Sequence, residues 1–171
     1  PVPLKDISPW MRAAIMAAED RRFYGHAGVD PAAVIRAIAQ NCRSLRRVSG
    51  ASTISMQTIR LIHPRRRTWS SKLIEAFRAL QMERAADKQT ILAAYLNRAP
   101  YGGNVVGIEA ASQRYIGRLA KDLTRGEAEL LAGKQELILM IVQMISLNFL
   151  SKKNIRINSK IYGLKLHRDI K

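Results

Sequence analysis

Only one cysteine, Cys42, occurs in the 171 residues, which excludes an internal disulfide and offers no cysteine cluster for a metal. No stretch approaches the roughly 18–20 consecutive apolar residues that a membrane-spanning helix needs. The N-terminal Pro1–Val2–Pro3–Leu4–Lys5–Asp6 lacks the shape of a signal peptide. Strict alternation of polar and apolar residues is also missing, so no strand is expected and the fold class is read as all-α. Acidic residues are few: 13 Asp and Glu face 29 Lys and Arg, a net charge of +16. Such an imbalance implies an anionic partner, whether nucleic acid, anionic lipid or a phosphate-bearing substrate. Hydrophobic residues make up 47% of the chain, enough for one domain with a core.

A local absence divides the chain. Residues 134–171 contain no alanine and no proline, whereas residues 1–133 contain 22 alanines. Arginine outnumbers lysine 17 to 4 before that point and is outnumbered 2 to 6 after it. The expected organisation is a domain over 1–133 followed by an unrelated tail over 134–171, the product of a shifted reading frame or a truncated gene. The chain reads as a fragment that begins mid-protein.

What is present is helical punctuation. Ser8–Pro9 supplies an N-cap with proline at the first helical position, followed by Trp10, Ala13, Ala14, Ile15, Ala17 and Ala18 at helical spacing. Asp30–Pro31 opens a second helix through Val34, Ile35, Ile38 and Ala39, expected to end in a basic loop over Asn41–Arg47. A small-residue turn around Ser52 and Thr53 leads into Ile54, Met56, Ile59 and Leu61. Thr68 to Arg84 reads as the most amphipathic helix, with Trp69, Leu73, Ile74, Phe77, Leu80 and Gln81 about its apolar face. Lys88 to about Asn97 is another, and Pro100–Tyr101–Gly102–Gly103 makes a turn. Thr124–Arg125–Gly126–Glu127 has capping-box spacing.

Several of these elements carry groups suited to chemistry. Glu19 closes the first apolar helix just before a glycine-rich turn. There the negative end of the helix dipole and desolvation both favour a basic carboxylate, fit to serve as a general base. Lys72 and Glu75 lie three apart on one helix face. Arg60 and Arg67 add guanidinium groups that bind phosphate oxygens in a fork. Ser52 and Thr53 place small side chains and backbone amides at a helix start, a setting that suits an anion. His26 is read as a buried, hydrogen-bonded histidine beside the first helix rather than a proton shuttle.

In order along the chain these segments resemble the five motifs of the peptidoglycan glycosyltransferase family, the lipid II polymerases of class A penicillin-binding proteins and monofunctional transglycosylases. The first motif is Glu19–Asp20–Arg21–Arg22–Phe23–Tyr24–Gly25–His26–Ala27–Gly28. The second is Gly50–Ala51–Ser52–Thr53–Ile54–Ser55–Met56–Gln57, with methionine for the first of two usual glutamines. The third is Ser71–Lys72–Leu73–Ile74–Glu75, with serine for the usual arginine. The fourth runs from Ile91–Leu92–Ala93–Ala94–Tyr95–Leu96–Asn97 to Gly107–Ile108–Glu109–Ala110–Ala111, and the fifth from Tyr115 to Gly133. Met56, with Asn97 to Gly103, is most similar to the penicillin-binding protein 1C branch. The pattern departs after Gly133, where Lys134–Gln135–Glu136 replaces the usual Leu-Pro-Gln.

The resemblance implies a lysozyme-like, two-lobed helical fold and transfer of glycan from undecaprenyl pyrophosphate to another lipid II. Glu19 and Glu75 would be the catalytic residues, and Ser52, Thr53, Gln57, Arg60, Arg67 and Lys72 would bind substrate. Magnesium or manganese would assist near Glu75. Lipid II, the growing glycan strand and the membrane surface would be the partners, at the periplasmic face of the inner membrane, with a transpeptidase domain expected in a full-length protein. No nucleic-acid motif is present. The rival readings are a lysozyme-like glycan hydrolase and an inactive fragment of a bifunctional penicillin-binding protein.

Overall fold

Ser8 and Pro9 start the first helix as their chemistry requires. The Ser8 hydroxyl accepts from the Trp10 amide at 3.3 Å and Pro9 occupies the first helical position of α1, Pro9–Glu19. The computed structural model describes residues 1–44, 51–66, 68–135 and 137. After α1 come α2 (Pro31–Ser44), α3 (Ile54–Ile62), α4 (Trp69–Ala85), α5 (Lys88–Arg98) and α6 (Ile108–Tyr115). A last helix, α7, spans residues 125–135. The all-α reading holds, with one small exception: Pro100–Gly102 (β1) and Val105–Val106 (β2) pair as an antiparallel hairpin. Gly103 and Asn104 at its tip both have positive φ, 57° and 62°, the conformation a two-residue hairpin loop demands. Strands this short carry no alternation for a sequence reading to detect.

The Ser8 and Asp30 caps expected from the sequence form, and further caps start α3, α4 and α5. Asp30 accepts from the Ala33 amide at 3.1 Å, and Thr53 from the Met56 amide at 3.2 Å. Thr68 and Asp87 cap α4 and α5 in the same way. Glu127 Oε2 accepts from both the Thr124 amide and the Thr124 hydroxyl at 2.8 Å, which forms the glutamate half of the capping box at α7. Each such cap contributes about 1 kcal/mol.

α3 is the central element. From Ile54 to Ile59 every residue is buried, and the helix packs against both α4 and α5. The main core joins Ile7, Met11 and Ile15 to Phe23, Ile54, Ile91, Leu92, Tyr95, Leu96, Tyr101, Ile108 and Leu131. A smaller cluster of Met56, Ile59 and Ala79 seals α3 to α4.

Three details differ from the sequence reading. α2 continues through Asn41 and Cys42 to Ser44, because those residues carry no glycine or proline to stop it. The covered face of α1 is Met11 and Ile15, and Trp10 and the alanines 13, 17 and 18 are exposed. The most consequential difference is in α4. Its inward residues are Glu75 and Ala79, while Trp69, Leu73 and Phe77 are 85%, 72% and 62% exposed. Helical spacing says which residues share a face; what covers that face is a tertiary matter. Ala79 faces inward because the turn before α2 lies against it. Gly28, at φ +96°, packs so closely that a Cβ there would stand 2.8 Å from the Ala79 carbonyl carbon and oxygen.

Candidate active site

The end of α1 and the turn that follows it wall a cavity of about 540 Å³ together with α2 and the segment entering α3. Glu19 lines it with Ser52 and Thr53, beside Arg21, Arg22 and Arg36. Two carboxylates in the same wall are already committed. Asp20 is buried, accepting from the Ile54 amide at 3.0 Å and from His26 Nε2 at 2.9 Å. Asp30 caps α2 and is gripped by Arg22, whose Nε lies 3.0 Å from Oδ2 and whose Nη2 meets Oδ1. The Arg22 hydrogen bond holds the Asp30 carboxyl well below the ordinary range, at about 2.

His26 is structural, as its setting in the sequence suggested. Its Nδ1 accepts from the Gly28 amide at 3.2 Å, which leaves Nε2–H to donate to Asp20. The ring is therefore a neutral strut between the turn and the Asp20 that caps α3. Thr53 adds a second tie, its hydroxyl donating to the Gly28 carbonyl at 2.6 Å. A third lies behind: Lys88 donates to the His26 carbonyl at 2.6 Å and to Glu83 at 2.7 Å, while Ser55 donates to the same Glu83. The glycine-rich turn is thereby fixed to α3 and α5 from three sides, and Glu19 sits at its root.

α3 carries the link from Glu19 to Glu75. Gln57 Nε2 donates to Glu19 at 2.8 Å. One turn further on, Arg60 meets Glu75 in a two-point fork, Nε to Oε1 at 2.9 Å and Nη2 to Oε2 at 2.6 Å. Glu75 is 5% exposed, so the paired guanidinium is what makes an ionised carboxylate tolerable there. Both glutamates thus contact α3, through side chains that lie three apart on it. The cavity around Glu19 includes Ser52 and Thr53; Gln57 adjoins it through Glu19, while Arg60 and Glu75 are engaged with one another. Lys72 is half-buried on α4. Arg67 lies outside the described residues.

Sequence reading names Asp20 only as a member of the first motif and does not single out Arg36, Tyr95 or Tyr101. Only contacts 34 or more positions apart reveal Asp20 as the cap of α3. Tyr95 and Tyr101 are fully buried, and their phenols are pushed well above the ordinary range by burial first and then by the negative charge of Glu19. Both remain protonated; the Tyr95 hydroxyl has Gln57 and Gln135 beside it, whereas the buried Tyr101 hydroxyl has no hydrogen-bond partner among the described residues.

Residues 1–137 match the transglycosylase family. The chain belongs to that family. The transglycosylase domain is 45% identical over 132 residues to penicillin-binding protein 1C of Escherichia coli strain K12, covering 77% of this chain and 17% of that protein. It is 48% identical to a biosynthetic peptidoglycan transglycosylase of Escherichia coli O81 and 47% to one of Shigella boydii serotype 4, again over 132 residues. Those alignments cover 77% of this chain and 54% of each relative, so the transglycosylase domain spans about half of their length.

Proposed function

We propose that this chain polymerises lipid II into glycan strands, releasing undecaprenyl pyrophosphate, for bacterial cell-wall synthesis. The observation that carries the reading is the placement of Glu19 in an arginine-lined cavity, tied by Gln57 to the helix that also holds the Arg60–Glu75 pair. Glu19 serves as the general base on the acceptor's 4-hydroxyl. The acceptor's 4-oxygen, its proton passing to Glu19, then attacks the donor's anomeric carbon with inversion as the pyrophosphate departs. The charge developing on that leaving group calls for cations, and Arg60, Arg67 and Lys72 are the groups assigned to it. Glu75 holds Arg60 extended and oriented. Ser52 and Thr53, at the start of α3, line the acceptor side.

A magnesium or manganese ion near Glu75 does not fit the side chains as they stand. Both Glu75 oxygens accept from Arg60, and among the described residues no group of three His, Cys, Asp or Glu is placed to hold a metal. No step is assigned to one.

The exposed stripe of Trp69, Leu73 and Phe77 recurs every fourth residue along α4. Together with the charge of +16, it suits an anionic lipid surface, on which an apolar face is buried and basic groups meet headgroups. Among the described residues no helix is long and apolar enough to cross a membrane. Sedimentation with anionic phospholipid vesicles checks this. The double substitution Trp69→Asp with Phe77→Asp is expected to weaken binding at least tenfold, given the lost apolar burial. Unchanged binding would detach α4 from the membrane role.

Lipid II incubated with the protein on such vesicles decides the reaction. A polymerase lengthens glycan and releases the lipid pyrophosphate. A hydrolase instead shortens preformed glycan, an outcome that would replace the proposal with the lysozyme-like reading.

A further inference from the structure

Behind Glu19 lies a line of buried polar side chains with no place in the chemistry above. Gln135, 0% exposed, donates from Nε2 to the Tyr95 hydroxyl at 2.6 Å. The Tyr95 hydroxyl faces Gln57 Oε1 at 3.4 Å, and Gln57 Nε2 donates to Glu19 at 2.8 Å. Three elements contribute, α7, α5 and α3, and the line ends on the carboxylate in the cavity wall.

The direction of this line is determined from its far end. An ionised Glu19 can only accept, so Gln57 must turn its NH₂ toward it and its carbonyl oxygen toward Tyr95. That oxygen needs a donor, and the phenol, held protonated by burial, supplies its single proton. Having spent that proton, the phenol oxygen can only accept from the other side. The Gln135 NH₂ meets that need. Every donor therefore points toward Glu19, and such aligned donors polarise one another.

We infer that Gln135 is a positioning residue for Glu19, acting through Tyr95 and Gln57. It touches no substrate. Without its NH₂, the Tyr95 hydroxyl loses the partner that keeps its proton directed at Gln57, and the Gln57 amide is no longer confined to the orientation that serves Glu19. The inference concerns a residue lying two positions past the change in composition at Gly133, in the segment where the family pattern departs. Its catalytic consequence rests on the role of Glu19 proposed above; its structural content does not.

Two variants test it: Gln135→Met, which keeps volume and flexibility but removes the donor, and Tyr95→Phe, which removes the phenol hydroxyl. The first readout is hydrogen exchange of the Gln57 side-chain NH₂, assigned by NMR through its loss in Gln57→Leu. Exchange is expected to quicken about three- to tenfold in both variants, the scale of one buried hydrogen bond. The second is lipid II polymerisation on vesicles, where kcat should fall by a similar factor with KM within twofold. An unchanged Gln57 signal in folded Gln135→Met and Tyr95→Phe would overturn the inference. Should Gln135→Met not fold, Tyr95→Phe carries the test alone. Faster exchange in a protein whose wild type does not polymerise lipid II would sustain the positioning role and overturn the proposed function instead.

Discussion

Glu19→Gln is expected to lower the rate of lipid II polymerisation by about 10²–10⁴-fold, the contribution of one well-placed general base. An amide has the shape of the carboxylate but cannot take the acceptor's proton. Folding should be spared, because the bond from Gln57 Nε2 requires only an acceptor oxygen and the new amide has one. Donor binding should likewise persist, since Arg60 is held by Glu75 and not by Glu19. The check is a polymerisation assay run beside a lipid II binding measurement and a melting curve. Full activity in Glu19→Gln would remove this residue as the base and transfer the role to Glu75.

Gly28→Ala should cost about 2–5 kcal/mol, combining left-handed backbone strain with overpacking. At φ +96° the added Cβ would stand 2.8 Å from the Ala79 carbonyl carbon and oxygen and 3.0 Å from the Leu80 nitrogen. All three are backbone atoms of α4, so no side chain can swing aside. The turn or the helix must move instead, and both carry a candidate catalytic glutamate at one remove: Glu19 before the turn, Glu75 one turn back along α4. Denaturant unfolding measures the loss against a native stability of order 5–15 kcal/mol. Gly25→Ala is the control, in the same turn, with nothing within 4 Å of its added Cβ. Equal stability of the two variants would mean that Gly28 does not make this close approach.

Some of the site was legible because its chemistry is local. An N-cap needs a hydroxyl or carboxylate two or three residues ahead of a free amide, so Ser8, Asp30 and Thr124 could be assigned from the sequence. Glu19 could be placed at the end of a helix for the same reason. The resemblance in motif order then joined Glu19, Ser52, Gln57 and Glu75, which composition alone could not connect.

Other features depended on contacts between residues far apart in the chain. Spacing puts Lys72 on the same helix face as Glu75, but the two-point fork on Glu75 comes from Arg60 on another helix, which spacing does not show. Asp20, only a motif position in the sequence, is buried and accepts from the first amide of α3. The apolar residues of α4 share a face by period, but Gly28 and α3 claimed the opposite side of that helix, leaving Trp69, Leu73 and Phe77 outside. The change in composition at Gly133 was visible at once, whereas the burial of Gln135 against Tyr95 was not. By itself the sequence determined the helices, their caps and the family, because hydrogen bonds over three or four residues and an ordered set of motifs are written along the chain. Only the tertiary structure decided which partners the charged and amide groups took, because a buried polar group is satisfied by whatever the fold brings within about 3 Å.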